Sequence, residues 1–177
     1  MRVLFIGGTG IISSGCAPQA LEAGFDLTLL NRGQSFRPVP EGAEVLVGDY
    51  HDKGAVEKLL TGKTFDVVVN WIAYTPDQVR RDIEMFRGKV GQYIFISSAS
   101  AYQKPPRSLP ITESTPLENP FWEYSRNKIA CEQALTDAYF REDFPVTVVR
   151  PSHTYDRTLL PFRGGYTWFN RLVTGQP

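Results

Sequence analysis

Tyr124 and Lys128 stand four residues apart in the stretch EYSRNK, the spacing that puts two side chains on one face of a helix. A phenol with a pKa near ~10 is a poor base at neutral pH, but a neighbouring ammonium favours its phenolate and brings proton transfer within reach. Upstream, ISSASAY places hydroxyls at Ser97, Ser98 and Ser100 at the end of an apolar run. A serine in that place can bond a substrate oxygen. A third cluster, GGTGIISSG from Gly7 to Gly15, is of a type that holds phosphate.

That glycine cluster follows the apolar run VLFI and opens a helix-like stretch, the context a dinucleotide-binding turn requires. Glycine permits the sharp turn and the close approach of backbone to a pyrophosphate, while free amides at the helix start attract negative charge. Gly7, Gly8, Thr9, Gly10, Ile11 and Ile12 form the expected cradle. The pattern reads as Gly7, Gly10, Ser13 or as Gly8, Gly10, Ser13, with serine where a third glycine is usual. Because the third glycine permits close helix-to-strand packing, Ser13 is expected to loosen that junction slightly and to leave the phosphate site in place. A plain glycine turn is the competing reading.

The end of the second strand tests the cofactor type, because an acidic residue there grips the ribose hydroxyls of NAD. Here it carries Asn31 and Arg32. Without a carboxylate to repel it, a 2′-phosphate can pair with the Arg32 guanidinium, with Arg37 as a second candidate, which favours NADP over NAD. Asn31 could still bond a ribose hydroxyl. Asp49, in GDYHD after the third strand, is placed to accept a bond from an adenine amino group, or else simply closes a turn.

These side chains need a frame, and the chain alternates β-branched apolar runs with helix-like stretches from end to end. Strands are predicted at 3–6, 26–30, 44–47, 66–71, 93–97 and 146–150, and helices at 11–23, 53–60, 77–88 and 121–141, with one more near 165–174. Asn119 and Pro120 are expected to cap and open the fourth helix. Most strands are continuous apolar runs, as in a parallel sheet covered on both faces. The proline-rich segment 103–120 is too long and irregular for a simple connector and is expected to be a functional or a mobile loop.

The 177 residues suffice for one domain, or one domain and a fragment, and 19 basic against 19 acidic side chains suggest no nucleic-acid or anionic-membrane partner. Cys16 and Cys131 are too few for a disulfide framework or a zinc site and are expected to be reduced packing residues, which fits a cytoplasmic location. The start MRVLFIGGTGII is broken by GGTG and lacks a small-residue cleavage pattern, so it is not read as a signal peptide. No apolar run approaches the ~20 residues needed to span a bilayer. No metal site is expected.

Together, the glycine turn, the serine-ended fifth strand and the downstream YxxxK resemble the short-chain dehydrogenase/reductase superfamily, in particular its extended, epimerase/dehydratase-like branch. FISSASAY is similar to that branch's strand-five motif, and counting back from Tyr102 puts the family's catalytic serine or threonine on Ser98. RPSHTY, Arg150 to Tyr155, resembles the later RPxxxYG motif beside the nicotinamide, which brings in Pro151, with Asp156 in place of the glycine. NWIA, Asn70 to Ala73, resembles the strand-four segment that passes the cofactor, and Ile72 is bulkier than the residue usual there.

The resemblance implies an α/β fold: a three-layer, Rossmann-type, doubly wound parallel sheet forming an NAD(P)-binding domain over 1–160. It implies that 161–177 begin a substrate-binding region whose remainder, a smaller C-terminal domain, is largely absent from this chain. It further implies an enzyme, an NAD(P)-dependent epimerase, dehydratase or reductase acting on a hydroxyl or carbonyl, with a nucleotide sugar as one substrate class. In it Tyr124 is the general base or acid, Lys128 lowers the Tyr124 pKa and holds the nicotinamide ribose, and Ser98 orients the reacting oxygen. A homodimer through 77–88 and 121–141 follows by the same resemblance. The alternative is a Rossmann-type protein that senses the cofactor, or binds RNA, without turnover.

Other residues read as structural. His51 and His153 are isolated, without metal-ligand spacing. Phe162, Tyr166, Trp168 and Phe169 are expected to pack the tail against the sheet rather than line a substrate cleft, with some of them exposed if a second domain is missing, and Arg80, Arg81, Arg87 and Lys89 to form a solvated face.

Overall fold

In the computed structural model, which describes residues 1–161 and 164–176, the six apolar runs form one parallel sheet: β1 (Arg2–Ile6), β2 (Asp26–Asn31), β3 (Glu44–Val47), β4 (Val67–Asn70), β5 (Gln92–Ile96) and β6 (Val146–Val149). Its strand order is β3-β2-β1-β4-β5-β6. Four crossover helices and a terminal one complete the fold, α1 (Ile11–Glu22), α2 (Lys53–Leu60), α3 (Pro76–Phe86), α4 (Glu123–Glu142) and α5 (Tyr166–Thr174). The order reverses between β1 and β4, which opens the crevice in which ligands of doubly wound sheets bind.

Strand side chains alternate between two apolar layers. Val3, Phe5, Leu27, Leu29, Val67 and Val69 pack under α1. Leu4, Ile6, Val68, Tyr93 and Phe95 pack against Val79, Ile83 and Phe86 of α3 and Leu135 of α4. Burial on both sides is why β1, β2 and β4 are dominated by apolar residues, whereas the edge strand β6 alternates with exposed positions and β3 buries only Leu46.

Local chemistry sets the helix starts. Asp52 caps α2 by accepting a bond from Ala55 N–H at 3.0 Å. At α3, Pro76 follows the Thr75 cap, and Gln78 Oε1 reaches back to accept from the amides of Tyr74 and Thr75. The fourth helix departs from expectation, since it starts at Glu123 with Trp122 as its cap. Asn119 is instead buried in the turn before it, where its amide donates to Ser100 O at 2.8 Å and its Oδ1 accepts from Phe121 N–H. Its side chain ties two loops together rather than capping a helix.

The base of the proline-rich segment is pinned to the β5 side: Tyr102 pairs with Leu117, and Gln103 and Lys104 donate backbone bonds to Pro116 and Glu118. The tail differs from expectation. None of the side chains of α5 is buried, and Tyr166, Trp168 and Phe169 are exposed rather than packed on the sheet; Phe162 lies outside the described residues. Arg81 departs from the solvated face, with its guanidinium 4.2 Å over the Tyr50 ring. Among the described residues no helix is long and apolar enough to cross a membrane.

Candidate active site

All six strands end at the same edge, so the residues that follow them converge there. Between β1 and α1, Gly7 and Gly8 adopt φ of +107° and +102°, a region L side chains rarely enter. A Cβ at Gly8 would come within 2.9 Å of the Leu29 side chain. The turn thus needs glycine twice, for its conformation and for its closeness to β2. Ser13, expected to loosen this junction, does the opposite: it is 1% exposed, and its Oγ accepts from Gly10 N–H at 2.8 Å. A small residue that both packs and ties the turn serves where glycine only packs.

A cleft of about 420 Å³ opens beside this turn, walled by Gly7, Thr9, Asn31, Arg32, Asp49 and Tyr74 among others. Asn31 Oδ1 accepts from Gly33 N–H at 2.8 Å, while its buried Nδ2 has no acceptor among the described residues. Arg32 is exposed and enters no ion pair among the described residues. Arg37 is committed elsewhere, 2.9 Å from Asp156 and 2.6 Å from Thr158. The second candidate for a 2′-phosphate therefore ties the loop after β2 to the loop after β6. That contact also gives Asp156 a part the glycine of the motif could not play. Asp49 turns its Oδ1 toward His51 N–H at 2.9 Å and remains at the cleft wall.

The expected cradle residues do not all face this cleft. Gly8 is buried behind the turn, Ile11 lines a groove shared with Arg37 and Asp156, and Ile12 and Pro151 line an apolar groove beneath α1. What a nucleotide would meet is the backbone of Gly7 to Thr9 and the first-turn amides of α1, which have no intrahelical acceptors. The positive-φ glycines and the orphaned Asn31 amide fit a dinucleotide.

On the other side of the switch point, α4 carries Tyr124 at the surface and Lys128 one turn below it. Lys128 is 1% exposed, and its Nζ donates to Ala73 O at 2.6 Å and Ile96 O at 2.7 Å. It also lies 4.7 Å from the ring centres of Tyr74 and Phe95 and 5.7 Å from that of Tyr124. Burial lowers its pKa to about 8, against the opposing pull of Cys131 and Glu132. The Tyr124 phenol is pushed upward by burial, opposed by a hydrogen bond with Ser98. Its ring is flanked by Trp122 at 4.8 Å and Tyr74 at 6.1 Å.

Ser98 follows β5 and opens a short 3₁₀ turn, its Oγ accepting from Ser100 N–H at 3.1 Å and lying 2.9 Å from Ser100 Oγ. Ser125 then donates to Ser100 Oγ at 2.8 Å. A hydroxyl chain thus links the end of β5 to the α4 turn that carries Tyr124. Ser97 points the other way, donating to the buried Glu132, which also receives the Arg150 guanidinium at 2.6 Å. Of the three strand-end serines, Ser98 is the one whose hydrogen bond acts on the Tyr124 phenol.

Sequence reading missed Asp82. It is fully buried on α3 and accepts from Tyr50 Oη at 2.9 Å, Tyr93 Oη at 2.6 Å and Asn70 Nδ2 at 2.5 Å. The signal was available, because Val79, Ile83 and Phe86 mark the inward stripe of α3 and Asp82 falls on that stripe. A carboxylate where the pattern calls for a hydrophobe has a partner inside.

Comparison with known proteins fits this geometry. The model of the family described as "NAD dependent epimerase/dehydratase family" matches residues 3–161. A UDP-glucose 4-epimerase from Lactobacillus helveticus is 29% identical over 168 residues, covering 85% of this chain and 51% of that protein. The chain thus spans about half the length of the curated relatives it matches. Among solved structures, the UDP-glucose 4-epimerase of Bifidobacterium longum in complex with NAD+ and UDP superposes with a TM-score of 0.74 at 22% identity, covering 85% of this chain and 52% of that one. The dTDP-glucose 4,6-dehydratase of Bacillus anthracis in complex with NAD reaches a TM-score of 0.80 at 18% identity, covering 99% and 62%. Those two likenesses establish the fold. The family match runs from the first strand to the loop beyond the sixth, and by it this chain belongs to the NAD dependent epimerase/dehydratase family.

Proposed function

We propose that the chain forms the cofactor-binding and catalytic half of an NAD(P)-dependent enzyme that reversibly oxidises a secondary hydroxyl of a nucleotide sugar, as an epimerase, dehydratase or reductase. The observation that carries this is the gathering of Ser98, Tyr124 and Lys128 at the strand ends, across the switch point from the glycine turn. When bound, the nicotinamide supplies a two-electron acceptor for the hydride of the carbinol carbon. Tyr124 Oη takes the hydroxyl proton as the carbonyl forms, and Ser98 Oγ holds the reacting oxygen. Lys128, with two of its three N–H bonds on backbone carbonyls, directs the third to the cofactor ribose.

Gly7, Thr9, Gly10 and the first-turn amides of Ile11 and Ile12 cradle the pyrophosphate, and Asn31 and Asp49 address the adenosine. The solvent-facing Arg32 supports a preference for NADP, because no carboxylate among the described residues competes for it. Residues 161–177 are read as the start of a substrate-binding region, and α3 with α4 as the face on which a second copy pairs, where Tyr139 and Phe140 are exposed. The free thiols Cys16 and Cys131 suit the cytoplasm. The test is interconversion of UDP-glucose and UDP-galactose by the wild-type chain and by Tyr124→Phe, with cofactor supplied. Turnover that survives in the variant excludes the assigned role.

A second reading has its own support. The Tyr124 pKa is displaced upward and that of Lys128 downward, away from a phenolate–ammonium pair, as suits a protein that binds the cofactor without turnover. The same assay separates the two.

A further inference from the structure

Behind Lys128 lies a buried relay that the proposed chemistry does not use. Lys128 Nζ donates to Ala73 O at 2.6 Å. The peptide that carries this carbonyl is held from below, where Asn70 Oδ1 accepts both Ile72 N–H and Ala73 N–H at 2.9 Å. These two donors fix which way the Asn70 amide faces, because its oxygen must meet them and its nitrogen must then find an acceptor. Asp82 provides that acceptor at 2.5 Å. Asn70 and Asp82 are both 0% exposed, and Asp82 is held in turn by Tyr50 and Tyr93. Burying a carboxylate on an apolar helix stripe is costly, and Asp82 pays that cost with a pKa raised by burial to about 6 despite three donors. An apolar residue would pack the same stripe without it.

We propose that Asp82 and Asn70 are positioning residues for Lys128. The carboxylate orients the Asn70 amide, the amide pins the Ile72–Ala73 backbone, and the Ala73 carbonyl holds the buried Lys128 ammonium in place behind Tyr74. The inference rests on the reading of Lys128 as the residue that holds the cofactor ribose. Tyr50, in the loop after β3, and Tyr93, on β5, lock the far end of the relay, which runs from α3 through β4 to α4.

The experiment reads Lys128 itself. A 13Cε label on lysine follows its titration in the cofactor-free chain, beside the affinity for NAD in the same protein. The groups that face Lys128 are the carbonyls of Ala73 and Ile96, the rings of Tyr74, Phe95 and Tyr124, and Cys131 and Glu132 of its own helix; Asp82 acts on it through Asn70. Asn70→Ser breaks the relay and leaves the Asp82 charge in place, while Asp82→Asn removes that charge. In the exchange Asn70→Asp with Asp82→Asn, the new carboxylate accepts the two backbone amides and the new side-chain amide, whose oxygen accepts from the two tyrosines.

Both single variants are expected to lower the Lys128 midpoint by at least ~0.5 in pH, about three-fold in its ionisation constant, because the ammonium loses a fixed acceptor. They are expected to weaken NAD binding about ten-fold, and the exchange to restore both. A midpoint that stays put in Asn70→Ser, or an exchange variant that folds without restoring it, overturns the proposal. If neither single variant folds, the exchange decides alone: a wild-type midpoint supports the relay, and a shifted midpoint or an unfolded chain contradicts it. If the midpoints move as expected while even the wild-type chain binds no NAD, the relay stands and the functional reading falls.

Discussion

The two halves of the sheet hold their sites by different means. In the β1-β2-β3 half, the glycine turn presents backbone, and Arg32 beside it is exposed and enters no ion pair among the described residues. In the β4-β5-β6 half the side chains about the site hold one another: Lys128 is engaged by two carbonyls, Asn70 by two amides and a carboxylate, Glu132 by Ser97 and Arg150. A half that binds phosphate with backbone tolerates side-chain change and fails when its φ angles are disturbed. A half that positions side chains through a network fails when one partner is lost.

The first way to sharpen that contrast is Tyr124→Phe, which removes one hydroxyl at the mouth of the networked half. Turnover is expected to fall at least ~100-fold, the scale of lost acid–base catalysis, with cofactor affinity nearly unchanged by calorimetry. A matching pH effect belongs to Lys128. Its ammonium is present below about 8 and lost above it, so cofactor affinity is expected to decline as pH rises through that value. The same depressed pKa makes the fold gain stability from Lys128 as pH climbs from about 8 toward the ordinary lysine range, where only the unfolded chain still binds the proton. A cofactor affinity that stays flat through this window breaks the link between Lys128 and the ribose.

In the backbone half, Gly8→Val is expected to cost about 1–3 kcal/mol of folding stability for the strained φ alone, before the clash with Leu29, and to abolish cofactor binding. Chemical denaturation and titration measure the two effects separately. Arg32→Ala, by contrast, leaves the fold intact and is expected to weaken NADP about ten-fold with NAD unchanged. Equal affinities in that variant and the wild type would show that Arg32 is only a solvated surface residue. The smallest effect is expected of Arg37→Ala, which unties the two loops. Asp156 is held near 2 by its bonds from Thr158 and Arg37, so the pair's contribution is complete above the usual carboxylate range and disappears as pH falls toward 2. Thermal melts at pH 7 and pH 2 follow that loss.

Much of the backbone half was legible in the sequence. Gly7 and Gly8 after VLFI state their own purpose, and hydrophobic periodicity located all six strands and five helices to within a few residues. Tyr124 and Lys128 were legible because helix spacing is local. The networked half was not, because its partners lie far apart in the chain: nothing near Asn70 announces Asp82, and nothing near Lys128 announces Ala73. The start of α4 was misplaced for a related reason. Asn119 has the chemistry of a cap, but its amide is drawn off by Ser100 across the loop. Ser13 likewise followed a packing rule in sequence and a hydrogen bond in space. The exposed aromatics of α5 follow the less favoured of the two readings the sequence offered, because an amphipathic helix implies a cover without supplying one.

The central claim is that the strand-end crevice of this chain holds a nicotinamide dinucleotide on its glycine turn. Calorimetric titration of the wild-type chain with NADP and with NAD at fixed salt tests it most directly. Saturable binding of both is predicted, tighter for NADP, with that difference lost in Arg32→Ala. Absence of heat from either nucleotide, in a chain shown by denaturation to be folded, would contradict it.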